Sequence, residues 1–96
     1  MKKIYKFKSR EPFYSKERAG IKPNTVREIN LNEDKFLELI QHTMNGFNPG
    51  DIEIEILETI EGFIGGTGRF VRDIEDISIY TNLMIISWKH SEYPDE

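Results

Sequence analysis

The run Asp51-Ile52-Glu53-Ile54-Glu55-Ile56-Leu57 limits what this chain can fold into more than any other stretch. Isoleucine and glutamate alternate with a period of two. A helix would spread that pattern around its whole surface, whereas a strand sorts it onto two faces. Isoleucines on one side and carboxylates on the other require a core on one side and water on the other. The run therefore belongs to a sheet with one buried face. More strands follow. Arg69 to Ile74 is one, Asp76 to Tyr80 with Ile77 and Ile79 inward is another, and Met84 to Lys89 with Met84, Ile86 and Trp88 on one side is the last. Asn48-Pro49-Gly50-Asp51 and Thr81-Asn82 have turn chemistry. The four glycines within Gly62 to Gly68 predict a hairpin or a wide loop.

The front of the chain alternates as well. Between Lys2 and Lys8, Tyr5 and Phe7 share a face, which predicts a half-buried strand. Pro12 suits the first turn of a helix, where its missing N–H is not needed. Phe13 to Ala19 predicts a short helix with Gly20 as its left-handed cap. Pro23 forbids more helix, and Thr25 to Ile29 is rich in β-branched residues and predicts a second strand. Asn32 is the expected cap of a longer helix. Phe36, Leu39, Ile40, Thr43, Met44 and Phe47 form its apolar stripe, and Gly46 and Pro49 end it. His42 lies beside that stripe and reads as a structural or surface histidine, not a catalytic base. Phe7 and Phe13 are expected in the core, while Tyr5 and Tyr14 can go either way. The order of elements predicts an α+β fold: a small antiparallel or mixed β-barrel of about five or six strands, plugged by a helix, with two helices early in the chain. One domain, 1–96, is expected, with 90–96 as a flexible tail.

Composition narrows the chemistry. Ninety-six residues allow one modest core, and 38% hydrophobic with 31% charged residues suits a globular protein. There is no cysteine, and His42 and His90 are far apart, so no metal site and no cofactor is expected. No apolar run has the length of a membrane span, and the N-terminal lysines alternate with Ile4, Tyr5 and Phe7 where a signal peptide would have an apolar block. The expected address is cytoplasmic. The net charge of −4 hides an asymmetry: residues 1–28 hold nine Lys and Arg against three acids, and residues 29–96 hold four against fourteen. Either the front segment builds an anion-binding face, or the two halves neutralise each other in the fold.

Gly20 to Glu28 concentrates the groups that could hold an anion: Lys22, Asn24, Thr25 and Arg27 follow a glycine. Thr25 and Arg27 are two apart and share a face if the segment is extended. Arg27 could grip a phosphate or base edge in a bidentate way, and replacing it with alanine is expected to abolish most binding and leave the fold intact. Arg10 and Lys16 are expected nearby. Aromatic Tyr5, Phe7, Phe13 and Tyr14 interleave with basic residues, a combination that holds single-stranded nucleic acid by stacking and phosphate pairing. Gly65-Gly66-Thr67-Gly68 lacks the lysine and helix start of a phosphate-binding loop and reads as a hairpin loop. Glu53, Glu55, Glu58, Glu61, Asp73, Glu75 and Asp76 read as a solvated face, or as an acidic surface for a protein partner.

The Gly20-x-Lys22-x-x-Thr25-x-Arg27 run after a first helix resembles the ASCH family, within the PUA-like superfamily. Gly50-Asp51 entering a strand, Gly68-Arg69-Phe70 through Ile77-Ser78-Ile79, and the closing strand Met84 to Lys89 extend the resemblance over most of the chain. The resemblance implies a PUA-like barrel whose cleft accepts a nucleic acid or a modified nucleoside. Some members are amidohydrolases of acylated cytidine that use a lysine, a threonine and a glutamate. Lys22 and Thr25 match the first two. The helical insert that carries the glutamate has no counterpart between Tyr80 and Met84, and the long helix within 30–47 is a further departure.

The leading expectation is thus a binding module that holds RNA, single-stranded nucleic acid or a nucleotide in a basic cleft lined by Arg10, Lys16, Lys22, Asn24, Thr25 and Arg27. The alternatives are an amidohydrolase with Lys22 and Thr25 as catalytic residues, and an acidic-faced protein-binding regulator of the kind found in mobile elements.

Overall fold

A computed structural model describes residues 2–59 and 68–89. Five strands form one curled mixed sheet in the order β1-β3-β4-β5-β2. They are β1 (Lys3–Arg10), β2 (Asn24–Glu28), β3 (Ile52–Thr59), β4 (Arg69–Tyr80) and β5 (Leu83–Trp88). β1 runs parallel to β3, and every other neighbouring pair is antiparallel. Two helices, α1 (Phe13–Arg18) and α2 (Asp34–Asn45), cover the concave side.

The curl comes from β4. Its first half pairs with β3, with Glu53 opposite Asp73, and its second half pairs with β5, with Tyr80 opposite Leu83. Between them the register shifts at Ile74/Asp76. A bulge of this kind inserts a residue, flips the side-chain phase and bends the strand. Phe70, Arg72 and Ile74 are buried on even numbers, and Ile77 is buried on an odd one. The two strands read from the sequence over 69–80 are therefore one bent strand. The result is a half-barrel with its hydrogen-bond ladder open between β1 and β2.

Tyr5, Phe7, Ile52, Ile54, Ile56, Phe70, Ile74, Met84, Ile86 and Trp88 fill the concave side. α2 lays Phe36 and Leu39 over the β1 end, where Phe36 meets Phe7 edge-on with ring centroids 5.7 Å apart. α1 packs Tyr14 against Phe70, which in turn meets Trp88. Tyr5 and Tyr14 are thus core residues. Phe13 is not: it is 49% exposed, because a six-residue helix buries only one side and Tyr14 and Glu17, three apart, occupy it. Met44 sits at the margin of the apolar stripe in the last turn of α2 and is also exposed, as is Ile79 near the end of β4. Glu55, expected in water, is buried between Lys6 at 3.8 Å and Arg69 at 3.2 Å.

Other expectations match closely. Gly20 has a positive φ of 79° after α1, and Thr81-Asn82 turns β4 into β5. His42 Nε2 lies 3.1 Å from the Tyr5 hydroxyl, which donates to Glu38 Oε1 at 3.3 Å. Burial, helped by the Glu38 charge, pushes the Tyr5 phenol up to about 12. Among the described residues no helix is long and apolar enough to cross a membrane. The loop expected over 62–67 and the tail at 90–96 lie outside the described residues.

Candidate functional site at the open seam

A half-barrel has two free edges, and here they face each other. β2 enters from a loop fixed at two points. The Lys22 N–H donates to the Lys16 carbonyl at 3.0 Å, and the Trp88 N–H donates to the Pro23 carbonyl at 3.0 Å. In β2, Thr25 lies opposite Ile86 and Arg27 opposite Met84. Ile86 and Met84 are fully buried, so Thr25 and Arg27 also face the concave side. They share a face, as their spacing predicts.

Arg27 spans the seam. Its Nε donates to Thr25 Oγ1 at 2.8 Å, Nη2 donates to Ser9 Oγ at 2.6 Å, and Nη1 donates to the Lys8 carbonyl at 2.5 Å. From α2, Lys35 Nζ donates to the Lys6 carbonyl at 2.8 Å and lies 4.3 Å from the centre of the Phe7 ring. Lys6 and Lys8 are two apart in β1, so both carbonyls lie on the strand edge that faces away from β3. Where a closed barrel would have a ladder, this fold has two cations holding the outer carbonyls of β1. Burial draws the Arg27 guanidinium below its ordinary value, opposed by the Glu17 charge. Burial likewise lowers the Lys35 ammonium, against the pull of Glu33.

On the α1 side of Arg27 lies a cleft of about 470 Å³, lined by Arg10, Phe13, Glu17, Lys22, Thr25 and Thr59, among others. Four of its polar residues are buried: Ser9, Glu17, Thr25 and Thr59. Glu17 is only 1% exposed. Its Oε2 is 3.7 Å from Lys22 Nζ, and its Oε1 has no hydrogen-bond partner among the described residues. Lys22 Nζ also lies 5.3 Å from the centre of the Phe13 ring. On the α2 side lies a second cleft of about 840 Å³, with Lys6, Lys35, Phe36, Leu31, Glu28 and Glu33 in its walls. Lys8 and Arg27 line both.

The seam thus brings together Arg10, Lys22, Thr25 and Arg27. It leaves out Asn24, which alternates away from Thr25, and Lys16, which lies on the exposed side of α1. Arg27 is also not free to fork onto a ligand, since all three of its nitrogens are bonded to its own chain. Glu17, Ser9 and Lys35 lie outside the residues that the sequence points to, while Lys8 is one of the basic residues interleaved with the front aromatics. Glu17 had a legible signal, its three-residue offset from Tyr14 on a short helix. Lys35 had none, because only the packing of α2 brings it to β1. No protein-family model matches the chain, and neither does any curated protein.

Proposed function

We propose that the seam is a binding cleft for RNA, single-stranded nucleic acid or a nucleotide, in a small PUA-like module of the ASCH kind. The observation that carries this reading is the charge at the smaller cleft. Lys8, Arg10, Lys22 and Arg27 surround a single buried acid, Glu17, in a chain whose net charge is −4. Burying charged groups is costly, and a core of this size does not require them there. Lys8 and Arg10 have no ion pair among the described residues, so their charge is available to a phosphate. Phe13 adds an exposed ring at the same cleft, on which a base can stack. The curled mixed sheet with two helices is compatible with a PUA-like module.

Fluorescence anisotropy with a labelled single-stranded RNA tests the reading. Affinity is expected to fall linearly on a log–log plot between about 50 and 200 mM salt. Arg10→Ala and Phe13→Ala, both at exposed positions, should each weaken binding by roughly fivefold or more. Binding that is absent, or that neither substitution changes, would refute it.

The position of Glu17 supports a second reading, amide hydrolysis. The lysine and threonine matched by the resemblance have a carboxylate beside them after all, supplied by α1 instead of by an insert. In that reaction water adds to the acyl carbon of an acylated cytidine, the C–N bond breaks, and a carboxylic acid and the free amine leave. Lys22 and Glu17 would move the protons. Incubation with acylated cytidine should release the free acid, and a rate no higher than that of Lys22→Ala removes this reading.

A further inference from the structure

We infer that the bound strand does not end in the smaller cleft but continues along the free edge of β1 into the larger one, so that the protein holds consecutive phosphates of an extended single-stranded nucleic acid. This rests on the binding reading above. The two clefts are one track, because Lys8 and Arg27 line both. Arg10, Lys8 and Lys6 lie along it at every second residue of β1. That spacing is about 6.6 Å per step in a strand, the order of one nucleotide step in an extended chain. Together the clefts hold Lys6, Lys8, Arg10, Lys22, Arg27 and Lys35 against three acids in their walls, Glu17, Glu28 and Glu33, with Lys6 also 3.8 Å from Glu55 on the neighbouring strand.

The edge itself selects the polymer. A peptide strand adding to β1 would need both donors and acceptors along that edge. The acceptors at Lys6 and Lys8 are already taken by Lys35 and Arg27. The N–H of each of these residues points to the same side as its carbonyl, so what the middle of the edge offers, between Ile4 and Arg10, is N–H donors and cations. Phosphate oxygens only accept, and they match that surface. An incoming β-strand does not. Phe13 at one end and exposed Leu31 at the other give bases or sugars apolar surface at both ends of the track.

A length series tests this with 5′-phosphorylated, labelled oligonucleotides of one to four residues. Affinity should rise at least tenfold from one to three nucleotides, with the salt slope steepening by roughly 0.7 for each added phosphate contact. Lys6→Ala, which removes an exposed ammonium that also pairs with buried Glu55, should reduce trinucleotide affinity several-fold and leave the mononucleotide unchanged, with thermal melting as the check on its fold. Lys35→Gln should do the same, with thermal melting as the check on its fold. Equal affinity for one and three nucleotides would overturn the continuous track while leaving the smaller cleft as a nucleotide site. So would a Lys6→Ala loss that is the same at both lengths. Failure of every length to bind would overturn both the track and the binding reading.

Discussion

Arg27→Ala is expected to lower the melting temperature by roughly 10–20 °C, a stability loss of about 2–3 kcal/mol. The side chain that the sequence offers as a ligand grip is a structural tie. Removing it deprives Thr25 Oγ1, Ser9 Oγ and the Lys8 carbonyl of their donor at one stroke. Thr25 and Ser9 are buried, so water cannot freely replace the lost bonds. A bond from a charged donor is worth more than a neutral one, and a buried acceptor left alone adds its own penalty. The loss also falls where the sheet has no ladder to hold it, since β1 and β2 are not neighbours in the strand order. Arg27→Lys keeps the charge but loses the planar fork, so it should recover only part of the stability. Circular dichroism melts of the two variants and the parent decide the matter. If Arg27→Ala melts within about 2 °C of the parent, a shift too small for three lost bonds, the seam is not held by this residue.

Glu17→Gln has two expected effects of opposite sign. The side chain is buried beside Lys22, and its charge acts on Arg27. Neutralising it leaves two cations less compensated, at a cost of about 1–2 kcal/mol. This is below the figure for a fully buried pair, because Lys22 is about a third exposed and the contact is 3.7 Å. The same change makes the cleft more positive by one charge. Affinity for a short single-stranded RNA should therefore rise by roughly threefold to tenfold at low salt, and the gain should shrink as salt is added. Amide hydrolysis, if the cleft performs it, should stop in this variant even as binding tightens. Melting curves and anisotropy titrations on one preparation measure both effects. A variant that binds more weakly while still folded would show that Glu17 contacts the ligand directly and does not merely offset its attraction.

The two cases show where reading from the chain fails. Thr25 and Arg27 are two apart in an extended segment, and that spacing alone places them on one face. It says nothing about what lies opposite. Arg27 meets Ser9 and Lys8 across 18 and 19 residues of intervening chain, a relation fixed by the curl of β4. The bulge in β4 had a trace in the sequence, the change from even to odd apolar positions between Ile74 and Ile77, but the same trace fits two separate strands. Phe13 and Met44 are exposed for one reason: apolar character marks a residue as able to be buried, while helix length and facing decide whether it is.

The sequence by itself determined the local elements, because their causes are local. The alternation of Ile52 to Ile56 fixes a strand with one buried face, the stripe from Phe36 to Phe47 fixes an amphipathic helix, and Gly20 fixes a left-handed cap. The tertiary structure alone decided that β1 and β2 remain unpaired edges facing one another, with Arg27 and Lys35 on the carbonyls between them. Strand order and curl arise from which faces can bury each other across the whole chain, and no stretch of neighbouring residues holds that information.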